Sequence, residues 1–240
     1  MNTDYSNKAT NEEIRARFDR DVERFSNLDT GQATTIDAPI TMDLCTEAAK
    51  YANPDATQLL DIGCGAGNYT LKMLEKVPNL NCTLNDLSQP MLERARERVS
   101  AQTSGSVETI QGDMRGLELP DGQFDIVLAA ATLHHLRDDA DWEAVFGKIY
   151  KLLKPGGSFW ISDIVQHDAP LLEALFQQRF ADHLEKLGGA ELRKKVLDYV
   201  AHEDTPRSLN FQLDLMKKGG FRYTEVLHKN GNVAAFGGIK

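Results

Sequence analysis

The chain is poor in cysteine, in long apolar runs and in positive charge, and each shortage narrows what it can be. Its three cysteines, Cys45, Cys64 and Cys82, are an odd number without CxxC spacing. That argues for reduced thiols in a cytoplasmic setting and against a disulfide framework or a zinc site. No uninterrupted apolar stretch of about 20 residues occurs, and the opening MNTDYSNKATNEEIRARFDRDVERF is polar and charged. Neither a membrane span nor a secretion signal is expected. Lysine and arginine number 27 against 36 acidic residues, a net charge of −9. Phosphates need basic neutralisation, so this balance disfavours nonspecific nucleic-acid binding, although a local basic patch stays open. The densest basic cluster, Arg193-Lys194-Lys195, reads as a solvated helix face.

What is present is an ordinary globular balance, 41% hydrophobic and 26% charged, in 240 residues. That length suits one α/β domain with an insertion and a core that needs no staple. No internal repeat or low-complexity tract interrupts it. Ile14, Phe18, Val22 and Phe25 form one helical stripe over residues 11–26. A polar stretch, SNLDTGQATTIDAP, leads to a second helix over about 39–52. From residue 58, strand, glycine turn and helix alternate. QLLDIG is followed by a helix carrying Tyr69, Met73 and Val77, and NCTLNDL by one that Ser88 caps and Pro90 opens. VETIQGDM is a third strand, and FDIVLAAATL, apolar throughout, a fourth covered on both faces. A helix over about 139–153 stops at KPGG, and GSFWISDIV follows as the fifth strand. Residues 168–204 break the alternation with two amphipathic stripes separated by Gly188-Gly189, which read as two lid helices. A helix over 207–218 and the strands FRYTEVLHK and VAAFGGI, joined by an Asn230-Gly231 turn, predict a C-terminal antiparallel hairpin.

The chemistry concentrates at strand ends. In LLDIGCGAGNYT a strand ends at Asp61, and Gly63, Gly65 and Gly67 turn the chain into a helix. Glycine lets a ligand approach the backbone closely and supplies unusual dihedrals. A dinucleotide fingerprint GxGxxG needs glycine where Asn68 stands. A carboxylate ahead of the turn suits a ligand ending in an ammonium and a sulfonium better than one carrying phosphates. Asp86 ends the second strand, Gly112-Asp113-Met114 the third, and Asp163 the fifth. Right-handed crossovers place all these ends on one edge of the sheet.

With these motifs in this order, the chain resembles the class I S-adenosylmethionine (SAM)-dependent methyltransferase superfamily over roughly residues 58–163 and the hairpin. The resemblance implies an α/β, Rossmann-like fold: a seven-stranded, mostly parallel sheet with a C-terminal antiparallel hairpin, helices on both faces and a helical lid insertion. One domain is expected, with a helical cap over 1–56, a SAM-binding core over 57–165, the lid over 166–206 and the last helix and hairpin over 207–240. The resemblance puts Asp61, Gly63, Cys64, Gly65 and Gly67 under the methionine part of SAM. Asp86, with Leu87 beside it, accepts the ribose hydroxyls, Asp113 holds the adenine amino group, and Met114 packs on the ring. Ala129 and Ala130 pass the sulfonium, and Lys154-Pro155-Gly156-Gly157 matches the family's LKPGG turn. In-line displacement would carry the methyl group to an acceptor, with S-adenosylhomocysteine (SAH) as product. A small-molecule acceptor is expected, nucleic acid is not, and a homodimer stays open.

Each residue also has a plain structural reading. Asp61, Asp86 and Asp113 could each cap a turn, yet all three fall on the ligand edge of consecutive strands. Cys64 has no base beside it in sequence and reads as packing. His134, His135 and Asp163 are candidates for proton handling at the acceptor, with packing or capping as the alternative. His167 and His228 are weaker candidates. Two adjacent histidines and scattered acids form no metal constellation, so no metal is expected. Phe18 and Phe25 read as core or as a flap over SAM, and Asn27–Asp37 as substrate-side residues. Lys194 and Arg207 either meet an anionic substrate or sit in water. Other readings are a carboxy-SAM synthase-like enzyme, from which Ala130 and Lys194 depart, a non-catalytic SAM-binding module, and a nucleotide-cofactor oxidoreductase.

Overall fold

A computed structural model describes residues 5–240. Seven strands form one sheet in the order β3-β2-β1-β4-β5-β7-β6. They are β1 (Gln58–Ile62), β2 (Asn81–Asp86), β3 (Val107–Gln111), β4 (Phe124–Ala130), β5 (Leu153–Ile164), β6 (Tyr223–Asn230) and β7 (Val233–Ile239). The first five run parallel, and β7 runs antiparallel to both β5 and β6. Between β1 and β4 the order reverses, opening a crevice at the carboxyl edge where open α/β sheets bind ligands.

Side-chain alternation on the central strand decides the layers. Ile126 and Leu128 of β4 enter one core with α4 (Ala38–Ala52), α5 (Asn68–Lys76) and α6 (Gln89–Ser100). Val127 and Ala129 enter the other, with α7 (Asp139–Leu152) and α9 (Leu209–Gly219). Trp142, Phe124, Phe159 and Phe236 are fully buried, each contributing roughly 1.5–3 kcal/mol of apolar burial. Local signals start the helices. Ser88 accepts from the Met91 N–H at the head of α6, and Asp138 accepts from the Asp141 N–H at the head of α7.

Four details differ from the expected pattern. The N-terminal stripe is split at Asp21 into α1 (Asn11–Arg20) and α2 (Val22–Ser26), because the Asp21 N–H closes on the Phe18 carbonyl and ends the first helix. The polar stretch after it holds a single helical turn, α3 (Leu28–Gly31). KPGG belongs to β5 as an irregularity: Leu153 pairs with Phe124 and Ser158 with Ile126. The hairpin turns one residue later than expected, since Asn230 pairs with Val233 and Gly231, at φ +60°, opens the turn.

The inserted segment, α8 (Pro170–Glu203), has two helical arms broken at Gly188 and Gly189, the latter at φ +76°. Phe180, Leu184 and Val196 bury where the arms meet, whereas Leu172, Leu175 and Leu187 of the expected stripe stay exposed. Among the described residues no helix is long and apolar enough to cross a membrane.

Candidate functional site

The carboxyl edge of the sheet opens into a cavity of about 240 Å³. Asp61, Asp86 and Asp113, the three strand-end acids, all line it. Asp61 is buried at the end of β1 and accepts a hydrogen bond from the Thr70 hydroxyl at 2.6 Å. Burial pushes its pKa up to about 7, against the Thr70 hydrogen bonds. Asp86 accepts from the Gly65 N–H through one oxygen and the Ser88 N–H through the other, at 2.8 and 2.9 Å. Burial lifts it to about 6 even so. The two acids thus hold local turns and also line the cavity.

Asp113 is more heavily engaged. Its carboxylate accepts from the Arg115 backbone and guanidinium and, at 2.6 Å, from the Asn11 amide. Burial opposes its charge, but the Arg115 hydrogen bonds and charge hold it below the usual carboxylate range. Arg115 reaches on to Asp141 at 3.0 Å.

The glycines divide their labour. Gly63 and Gly65 line the cavity at φ +64° and +52°, with Cys64 between them. Gly67 caps α5 at φ +83°, and a Cβ there would meet Ala95 and Val99 at 3.2–3.4 Å. Its smallness serves helix packing. Cys64 is a buried thiol pushed well above its ordinary pKa by burial and by Asp86 and Asp61, which makes it a poor nucleophile. Leu87, Met114 and Ala130 line the cavity, together with Ala131 and Thr132, while Ala129 packs into the core. Lys154 bonds Asp125 at 2.8 Å, and Asp125 accepts from the Thr57 and Gln58 N–H groups. The LKPGG turn therefore serves the opposite, amino edge of the sheet.

Helices α1 and α2 and the second arm of α8 close the cavity. On α1, Asn11 meets Asp113 and Asp19 accepts from the Ser88 hydroxyl, so the helix lies across the ends of β2 and β3. Asn68 donates to the Phe25 carbonyl at 2.8 Å and accepts from Arg98, tying α2 to the glycine turn. Phe18 and Phe25 are partly buried on this roof and pack against each other at 5.4 Å. Arg17 joins the roof to the second arm of α8 by a bidentate pair with Glu203 at 2.5 and 2.7 Å, and it stacks over Phe18 and Tyr199. Glu203 is only 5% exposed. Glu203→Gln is expected to cost roughly 1–3 kcal/mol, because it leaves a mostly buried guanidinium short of its counter-charge. Hydrogen exchange should then accelerate in residues 11–26 and 197–204 and stay unchanged in β1 and β4. Uniform protection in the variant would refute the tie.

At the acceptor end, β4 runs into a 3₁₀ turn, Leu133–His135. Asp163, at the end of β5, accepts from the Leu133 N–H at 2.9 Å, and its other oxygen lies 2.5 Å from His134 Nδ1. Burial opposes charge on His134, but Asp163 and Asp204 outweigh it and push its pKa up to about 9. His135 is pushed well below its ordinary value by burial and by His134, and neither ring nitrogen makes a well-formed hydrogen bond. Asp204, from the end of the lid, lies 3.6 Å from each imidazole.

The remaining candidates lie elsewhere. Lys194 is exposed and pairs with Asp198, and Arg207 bonds Asp139, Tyr5 and the Arg137 carbonyl. His167 stacks on Phe176 and His228 bonds Asp37. Within Asn27–Asp37, Gln32, Thr34 and Thr35 reach the cavity wall. Sequence reading missed Asn11, Arg17, Thr132, Tyr199 and Asp204. Only Asn11 had a local signal, the Thr10–Glu13 capping box that opens α1.

Comparison with known proteins accords with this geometry. The family described as a methyltransferase domain matches residues 59–157. The chain is 30% identical over 200 residues to a carboxy-S-adenosyl-L-methionine synthase of Shewanella woodyi, covering 80% of this chain and 79% of that protein. It is 27% identical over 183 residues to a demethylmenaquinone methyltransferase of Listeria welshimeri, covering 75% and 76% respectively. The solved structure of an O-methyltransferase family protein from Burkholderia thailandensis superposes with a TM-score of 0.66. That superposition covers 96% of this chain and 63% of that one at 20% identity, a likeness of fold.

Proposed function

The chain belongs to the class I SAM-dependent methyltransferase superfamily, and from that premise we propose that it passes the SAM methyl group by in-line displacement to a small molecule held under α1, α2 and the second arm of α8. One observation carries this reading. Three strand-end carboxylates and the left-handed glycine turn share a single cavity whose wall also includes Phe18, Phe25 and Tyr199. Asp86 takes the ribose hydroxyls, since each of its oxygens spends one lone pair on a backbone N–H and keeps another. Asp61 stands by the methionine end, and Asp113 and Met114 by adenine. SAM supplies the reactive methyl, while the protein orients the acceptor and excludes water. Such positioning contributes roughly 7–11 kcal/mol.

A second reading, modification of SAM itself, gains from the carboxy-SAM synthase likeness. Against it, Lys194 sits in solvent beside Asp198, and Ala130 lines the cavity where a polar residue is expected on that reading. Mass spectrometry of SAM turned over with an acceptor panel separates the two: SAH accumulates in methyl transfer, and a heavier SAM derivative accumulates in the other reaction.

Calorimetry with SAM and SAH tests the premise, and its pH dependence tests the residues. Burial raises Asp86 to about 6 and Asp61 to about 7, so both bind protons in the folded apo chain at pH values where the unfolded chain has released them. Apo stability therefore falls as pH rises from about 4 towards 7. SAM, which needs both groups ionised, gains affinity over the upper part of that window. Affinity is expected to rise roughly a hundredfold per pH unit below about 6, where both groups must lose a proton, roughly tenfold per unit between about 6 and 7, and to flatten above about 7. A flat profile between pH 5 and 8 would remove these acids from the SAM contact.

A further inference from the structure

The cavity wall around His134 holds more polar chemistry than SAM accounts for. Asp163 is immobilised by the N–H groups of Leu133, His134 and Ile164 at 2.7–3.3 Å and lies 2.5 Å from His134 Nδ1. That contact makes Nδ1 a donor, so a metal would take the place of the proton on Nε2, which points towards Asp204. Asp204 Oδ1 is 3.6 Å from His134 Nε2 and 3.6 Å from His135 Nδ1, too far for a hydrogen bond to either. Neither ring nitrogen of His135 makes a well-formed hydrogen bond, its one polar approach being to the Glu203 backbone, although both are shielded from solvent. One donor atom from each of His134, His135 and Asp204 falls within 4.8 Å of the other two.

We propose that His134, His135 and Asp204 form a divalent-cation site of the zinc class, with its open position facing the acceptor end of the cavity. Two imidazoles and a carboxylate are a borderline donor set that suits Zn²⁺, and three protein ligands with a vacancy are the pattern of sites that handle substrate. Metal–ligand bonds of about 2.0–2.1 Å in a tetrahedron set ligand atoms about 3.3 Å apart. The two separations to Asp204, at 3.6 Å, need to close by a few tenths of an ångström, and that between the imidazoles, within 4.8 Å, by up to about 1.5 Å. Asp163 fills the outer role such sites use, accepting the second N–H of a ligating histidine and fixing its tautomer. The nearby cations are already committed: Arg17 to Glu203, and Arg137 to the Glu203 and Ala9 carbonyls. A proton shared by Asp163, His134 and Asp204 is the alternative occupant, and it leaves both nitrogens of His135 without a well-formed hydrogen bond. All three ligands line the cavity, so the ion would meet an acceptor's oxygen or nitrogen and increase its acidity. This site goes beyond the methyltransferase reading and stands apart from it.

The test uses the untagged full chain, stripped with chelator and titrated with Zn²⁺ or Co²⁺ alone. One equivalent of Zn²⁺ should bind by calorimetry and raise Tm, as any ligand of the native state does. Co²⁺ should develop visible absorption bands that Zn²⁺ displaces. Asp204→Asn and His135→Gln should abolish stoichiometric uptake, and Asp163→Asn should weaken it about 10- to 100-fold. Calorimetric SAH binding reports that each variant is folded, and it is independent of the metal result. If the wild-type chain takes up no stoichiometric Zn²⁺, or the variants take up as much as it does, the site is a buried proton-bound pair and the proposal is overturned.

Discussion

Asp86→Ala is expected to weaken SAM and SAH binding by about 100-fold or more while the chain stays folded. The carboxylate ends β2 in the cavity wall with one oxygen on Gly65 N–H and the other on Ser88 N–H. A hydrogen bond to a charged group is worth roughly 1.5–3 kcal/mol, so losing two ribose contacts removes about 3 kcal/mol or more. Each 1.4 kcal/mol is about tenfold in affinity. Two opposing terms decide the effect on the fold. Alanine strands two backbone donors, but it also removes a carboxylate that burial disfavours. The net change in stability should be small beside the loss of binding. Asp86→Asn keeps one acceptor oxygen and should fall between alanine and wild type. Calorimetry with both nucleosides reads the series, and unchanged affinity in Asp86→Ala would sink the assignment of the ribose contact.

The first βα turn was legible because its constraint is local. An acid, three glycines and a helix start within eight residues leave few conformations, and the glycines do adopt positive φ. The parallel order was legible for a similar reason: β4 is apolar at every position that a two-sided sheet must bury. What escaped reading is held together by distance in sequence. Asn11 meets Asp113, Arg17 meets Glu203, and Asp204 meets His134 and His135, only after the sheet, roof and lid are assembled. No periodicity carries such pairings. Motif position alone also misjudged individual neighbours. Gly67 and Ala129 stand in the right motifs yet face helix and core, whereas Thr132, beyond the fourth-strand motif, lines the cavity.

Gly63→Ala and Gly65→Ala should separate the two duties of that turn, because the same added methyl meets different surroundings. At Gly63 a Cβ would stand 2.2 Å from Thr132 Oγ1 and 2.5 Å from its Cβ, with φ at +64°. Thr132 is itself buried and has little room to retreat. The left-handed backbone costs about 1–2 kcal/mol for a residue with a side chain, and overpacking adds about 1–3. The expected loss of about 2–5 kcal/mol lowers Tm by roughly 10 °C in a domain of this size, with binding lost as the turn shifts. At Gly65, φ is +52° and no atom lies within 4 Å of the new methyl. The fold then bears only the backbone cost, about 1 kcal/mol, while the methyl enters the space that SAM must occupy at the cavity wall. Gly65→Ala should therefore keep most of its Tm and lose about tenfold or more in SAM affinity. Thr132→Gly removes all three clashing atoms and should restore the steric share of the Gly63→Ala loss, leaving the backbone share in place. Equal Tm losses in the two single variants, or no recovery in the double, would mean that the turn does not divide packing from binding in this way.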